Sequence, residues 1–382
     1  MGNNTRSACA CAVLIGSLPA VAAAADAQAE LPALIVTANK IAQPLEEVPA
    51  SLSVLAGADL RDAGVTDVQG LARRTPGFTF QPFGQSGTNL PVLRGLTSSA
   101  TAFSSSMLML VDGVPTLMGQ GFEHNLLAVE RVEIVRGPQS TLYGRNAEAG
   151  VLSILTRQPG PEAYALVDAE AGSRDKRSLR FDLSQALLAD RLYAGVAGEW
   201  REQDGFIDNR YRGGREDDRE RHNGRLVLRW TPSQRSAVSL RYGRQDYRDG
   251  GSQWGAINAP RAEVRSGTPS WNRSSGRSLS LDVRHRFESG LRLRSITARN
   301  DFYDRVQQDT DFMPPDLFHV ARDFHMNTLS QEFRVEGEWG QSQWLLGFYA
   351  DRDDHQLSFE QKLPVRLSTR RISVTRRDML TR

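Results

Sequence analysis

His319, His325, Asp311 and Asp316 are residue types that ligate metals, and they fall with Met313 in one polar stretch of the chain. Protein metal sites place their ligands at short, regular spacings. No such spacing occurs here, so a solvated loop is expected and no metal site is assigned. Nucleophilic catalysis has no better footing. Gly84-Gln85-Ser86-Gly87 lacks the pattern of a nucleophile elbow, and neither H-E-x-x-H nor a phosphate-binding loop is present. Chemistry on a substrate is therefore not expected, and no cofactor is implied. Trp254, Trp271, Arg261 and Arg265 would suit an anionic ligand, or equally the boundary between a membrane and water.

The elements that must position such residues are bounded by composition. The 382 residues are 40% hydrophobic and 24% charged, which is globular composition with length for two domains. A formal net charge of +2 gives none of the electrostatic footprint of a nucleic-acid binder. Arg6 followed by the apolar stretch Ala8 to Leu18 and an Ala-rich run reads as a signal peptide over residues 1–25, with cleavage after Ala24, Ala25 or Ala29. Cys9 and Cys11 both lie in the segment removed, so disulfides and thiol chemistry are excluded from the mature chain. After that segment no apolar run reaches the roughly 18 residues a membrane helix needs. A membrane would have to be crossed by strands.

Residues 26–49 read as an extended tether carrying the β-prone run Leu34-Ile35-Val36-Thr37-Ala38. Residues 50–158 read as one mixed, glycine-punctuated α/β domain. Its strands are predicted at 51–55, 108–111, 129–135 and 151–156, and its helices at 59–63 and 66–74, the second with a capping box of Thr66 and Gln69. Asp112-Gly113 and Arg136-Gly137-Pro138 are turn signals, because Gly accepts positive φ and Pro fixes φ. After Pro159 the pattern changes to a period of two. Leu279, Leu281, Val283 and Phe287 oppose Ser280, Asp282, Arg284 and Arg286, and Leu226, Leu228 and Trp230 oppose Arg225 and Arg229. Ten strands are predicted, near 163–172, 176–187, 191–202, 222–231, 236–247, 276–287, 290–303, 326–338, 342–352 and 367–378. Tight turns alternate with long polar connections at 203–221, 248–275, 304–325 and 353–366. Short turns at one end and long loops at the other are the pattern of an outer-membrane barrel.

The run from Ala128 through Glu133, Arg136-Gly137-Pro138, Gly144 and Arg145 to Ala147, continuing to Arg157, resembles the signature that ends the plug of TonB-dependent outer-membrane receptors. Pro76-Gly77-Phe78, Leu93-Arg94-Gly95 and Leu110 to Pro115 match further plug segments in order, and Leu34 to Ala38 resembles the TonB box. The resemblance covers residues 34–157. It implies an α+β plug domain followed by an antiparallel transmembrane β-barrel, spanning 159–382, in the Gram-negative outer membrane. It also implies strand addition of the box to TonB and energy-coupled uptake of a scarce solute, by base rate a ferric siderophore. A corrinoid or an oligosaccharide is the alternative. Charges inside a plugged barrel must be paired or wet, so Arg94, Glu133, Arg136 and Arg145 are candidates for restraining the plug against the barrel. Asp112, Gly113, Gly137, Pro138 and Gly144 are expected to shape its turns. The expected partners are TonB, a small-molecule ligand such as an iron chelate, and outer-membrane lipid, with the receptor a monomer.

Transporter barrels of this kind have about 22 strands, and about ten are predicted here. The chain is therefore expected to be C-terminally truncated, with a non-transporting plug or binding fragment as the rival reading. A signalling receptor is disfavoured, since few residues separate the signal peptide from Leu34. The arginines at 225, 229, 241, 284, 286, 292 and 294 suit an anionic chelate, anionic lipid or a structural ladder with Asp and Glu.

Overall fold

The computed structural model describes residues 35–37, 40–81, 85, 87, 89–99, 104–116, 121, 124–251, 253–255, 262–340, 342–362 and 370–381. The predicted signal peptide, Leu34 and Ala38 of the box, and Arg261 lie outside these residues.

Five strands form an inner sheet: β1 (Ser51–Ala56), β2 (Met107–Val111), β3 (Val114–Thr116), β4 (Val129–Arg136) and β5 (Gly150–Thr156). Their order is β1-β4-β5-β2-β3, antiparallel except for β5 against β2. The unbroken apolar run of β2 follows from burial on both faces. Met107 and Met109 join the main core with Leu71, Phe78, Ile134 and Leu152, while Leu108 and Leu110 pack on Tyr143, Ala147 and Val151. Fully buried side chains of this size each stabilise by about 1.5–3 kcal/mol. Two short helices, α1 (Gly57–Asp62) and α2 (Val68–Ala72), precede β2, and a third, α3 (Ser140–Tyr143), lies between β4 and β5. The cap of α2 differs from the expected Thr66–Gln69 box. Asp67 is the N-cap and accepts from Gly70 N at 2.7 Å, while the Thr66 hydroxyl accepts from Arg201 at 2.9 Å. A tertiary contact has claimed the side chain that local pattern assigned to the helix.

Ten further strands form a second sheet, the wall. They are β6 (Tyr164–Gly172), β7 (Lys176–Leu188), β8 (Leu192–Gln203), β9 (Arg219–Ser233), β10 (Ser236–Asp249), β11 (Trp271–Arg286), β12 (Arg292–Asp309), β13 (His319–Trp339), β14 (Ser342–Lys362) and β15 (Arg370–Thr381). Each pairs antiparallel with its sequence neighbour, leaving β6 and β15 as edges. The alternation is inverted relative to a soluble sandwich. Leu226, Leu240, Leu279, Leu281 and Phe333 are exposed, whereas Ser239, Arg241, Ser280, Asp282, Glu332 and Arg334 are buried. An apolar outside and a polar inside is the arrangement of a membrane barrel wall.

The strands run past the predicted ends. β13 and β14 have 21 residues each, about twice the 9–11 that cross the hydrocarbon. The connection predicted at 304–325 consequently shrinks to 310–318, and His319 and His325 stand on β13 rather than in the loop. Beyond the lipid the backbone ladder continues without any need for apolar side chains. Among the described residues no helix is long and apolar enough to cross a membrane.

Candidate functional site: the seam between inner sheet and wall

Every wall strand from β7 to β14 places a polar side chain against the inner domain. Arg180 of β7 donates to Leu126 O at 3.2 Å, and Asn272 of β11 accepts from Gly87 N at 3.0 Å. Between these lies a denser node at the β2–β3 turn. Asp112 and Gly113 have φ of 53° and 91°, the left-handed region that Gly takes freely and Asp tolerates. This turn aims the Asp112 carboxylate at the wall. It accepts from Thr156 N at 2.9 Å and Thr156 Oγ1 at 2.8 Å, pairs closely with Arg225 of β9, and lies 3.5 Å from Arg241 Nε of β10. Arg294 of β12 donates to the Asp112 carbonyl at 3.1 Å. Asp282 of β11 then gathers Arg241, Arg284 and Arg294 at 3.4, 2.8 and 2.9 Å. Burial alone would push the Asp112 carboxyl up, but Arg225, Arg241 and the bonds from Thr156 outweigh it and hold it below its usual range.

The candidate restraint residues divide. Arg145 reaches the wall, 3.0 Å from Asp351 and in close contact with Asp353, both carboxylates wholly buried on β14. Glu133, also wholly buried, stays within the inner domain: it accepts from Thr37 N at 3.0 Å, Thr37 Oγ1 at 3.2 Å and Arg131 Nε at 2.8 Å. Arg94 sits exposed at a turn with φ 54°. Arg136 is half-buried, its Nε without a hydrogen-bond partner among the described residues. Of the remaining turn residues, Gly137 and Gly144 take φ of 99° and 76°, with Pro138 following Gly137. Asp112 was legible as a turn residue only, and its charge role was missed. The one signal for it is the excess of arginine on the inward faces of β9, β10 and β12, which requires carboxylates from elsewhere.

The candidate box segment is held at the same seam. Ile35–Val36 pairs with Gln43–Pro44 as a small hairpin, and Val36 is fully buried against Val48 and Val135. Thr37 hangs on Glu133. Lys40, in the hairpin's loop, is clipped to β13 by its ammonium on Glu332 at 2.5 Å and by Arg334 donating to its carbonyl at 2.9 Å.

Residues 44–151 match the family model of the TonB-dependent receptor plug domain. Those residues are a plug domain of the TonB-dependent receptor type. Two curated relatives agree: it is 34% identical over 180 residues to the pesticin receptor of Yersinia pestis, covering 47% of this chain and 27% of that protein. It is 32% identical over 178 residues to a vitamin B12 transporter of Vibrio vulnificus, covering 45% and 28%. Among solved structures, the ferric yersiniabactin uptake receptor of Yersinia pestis superposes with a TM-score of 0.74 at 24% identity, over 82% of this chain and 50% of that one. The match therefore spans about a quarter of those curated relatives and half of that solved receptor. The model match makes the inner domain a plug, and the likeness in fold to that receptor makes the wall part of a barrel of the outer-membrane kind.

Proposed function

We propose that the chain serves energy-coupled uptake of a scarce solute across the outer membrane, with a ferric siderophore as the solute class. The division follows the sequence reading: a tether with its box over 26–49, a plug over 50–158 and barrel strands over 159–382. The observation that carries it is the box hairpin hung on Glu133 of a plug that is itself ion-paired to the wall. Such an arrangement holds a passage shut until the box is drawn away, which is the work of TonB adding a strand to residues 34–38 from the periplasm. Arg145 ties the plug to β14, Glu133 ties the box to the plug, and Arg94 and Arg136 are further restraint candidates. The receptor acts as a monomer, its apolar outer face in lipid. The solute is moved rather than transformed.

Support for an iron chelate comes from the yersiniabactin receptor among the structural neighbours, and for a corrinoid from the vitamin B12 transporter among the relatives. Deletion of the gene followed by growth on defined iron chelates, and separately on a corrinoid as required vitamin, decides between them. Loss of growth on one chelate is expected; unchanged growth on every chelate overturns the siderophore reading. Cross-linking TonB to a cysteine at Val36 tests the coupling itself.

A further inference from the structure

Two of the cavities along the seam meet at the β2–β3 turn. One, of about 570 Å³, is lined by Tyr143, Ser153, Arg284 and Arg294; the other, of about 110 Å³, by His124, Arg225, Arg241 and Phe302. Asp112 lines both. The ion-pair network described above runs from one cavity to the other through this residue, with Arg225 and Arg241 on one side and Arg284 and Arg294 on the other. Four guanidiniums there meet two carboxylates, Asp112 and Asp282. Only Asp112 belongs to the plug. Among the described residues Arg225 Nε and Arg241 Nε are buried without a hydrogen-bond partner, Arg241 Nε lying 3.5 Å from the Asp112 carboxylate, in a region where such donors ordinarily find one.

We propose that these wall arginines form an anion seat on the solute's route, occupied at rest by the Asp112 carboxylate and taken over by an anionic oxygen group of the solute when the turn withdraws. This rests on the uptake reading above and names the charge of what passes. Withdrawal of Asp112 leaves four cations facing one carboxylate, and planar guanidiniums at Arg225 and Arg241 suit paired acceptance by a carboxylate or a similar two-oxygen anion. The plug thus carries a stand-in for its cargo. Removing it joins the two cavities at the point where the charge is strongest.

The test uses the receptor expressed from its own gene, purified from outer membranes. Asp112→Gly empties the seat while keeping a residue that accepts φ of 53°. The probe is formate, compared with chloride at equal ionic strength, and the readout is the midpoint of thermal release of the folded band. Asp112→Gly is expected to lower the midpoint, formate to restore most of the loss, and Arg225→Gln in the same background to abolish the restoration. Equal effects of formate and chloride overturn the seat, as does a formate effect that survives Arg225→Gln. Should Asp112→Gly be too unstable to purify folded, refolding yield with formate against chloride gives the same discrimination. TonB cross-linking at Val36, measured in parallel, reports on the uptake reading separately, since Val36 packs on Val48 and Val135 rather than on the seat's arginines.

Discussion

A carboxylate whose folded pKa is depressed contributes stability above its unfolded value and loses it as pH falls through the folded one. For Asp112, held below its ordinary value of 3.8 by Arg225, Arg241 and Thr156 against the effect of burial, the clamp on the β2–β3 turn is complete at neutral pH. It fails only in acid below that value. Limited proteolysis of the plug across a pH series is expected to show protection down to about pH 4 and loss beneath it, and Asp112→Asn should give a weaker protection that no longer depends on this step. Glu133→Gln acts on the neighbouring node. It keeps the shape but replaces a charged acceptor from Thr37 and Arg131 with a neutral amide, at a cost of about 1–3 kcal/mol. Hydrogen exchange at the Thr37 amide should quicken by roughly ten- to a hundred-fold, and an unchanged rate would show that Glu133 does not hold the box. Sequence flagged Glu133 and Arg145 because charges in a plug demand partners, yet passed over Asp112. An Asp-Gly pair is already explained as a turn, and its wall partner Arg225 lies 113 positions away, beyond the reach of any local pattern.

Among the elements, the wall strands were the most readable, because lipid on one side and a charged interior on the other impose a strict period of two. All ten lie where that period runs. Their ends were less readable, since apolar alternation reports only the part of a strand that touches lipid, while β13 and β14 continue as ladders of Asp, His, Gln and Arg. The same face asymmetry sets an expectation at adjacent positions of β11. Leu281→Arg puts a charge on the exposed apolar face and should destabilise by about 2–4 kcal/mol if it sits near mid-membrane. Leu281→Ala should cost less, and Ser280→Ala on the inward face less again. Heat-modifiability on gels measures the order; equal effects for Leu281→Arg and Ser280→Ala would refute the assigned faces. In the plug, four of the five sheet strands were legible; β3, three residues long beyond the Asp112-Gly113 turn, was not, nor was the α2 cap, because Arg201 of β8 competes for Thr66.

For the molecule as a whole, a wall of ten strands has two edges whose backbone groups need partners in hydrocarbon, each unsatisfied group costing several kcal/mol. Expressed as a polypeptide of these 382 residues alone, the chain is expected to give no heat-modifiable band in the outer membrane, while its plug segment resists protease. A stable heat-modifiable band would mean the edges find each other or a second copy.

The hairpin of Ile35–Val36 on Gln43–Pro44 also decides how the molecule yields to force. Its two free ends lie side by side, so tension applied at residue 35 peels the pairs apart one after another instead of shearing them together. Pro44 has no N–H to contribute, which thins the ladder further. Tension loads the contacts of Val36 with Val135 and of Thr37 with Glu133 on the plug sheet, and only then passes through the hairpin's loop to Lys40 and its clip on Glu332. A pull at that end would meet these resistances in series. The plug strand carrying Glu133 and Val135 is therefore loaded ahead of the wall strand carrying Glu332.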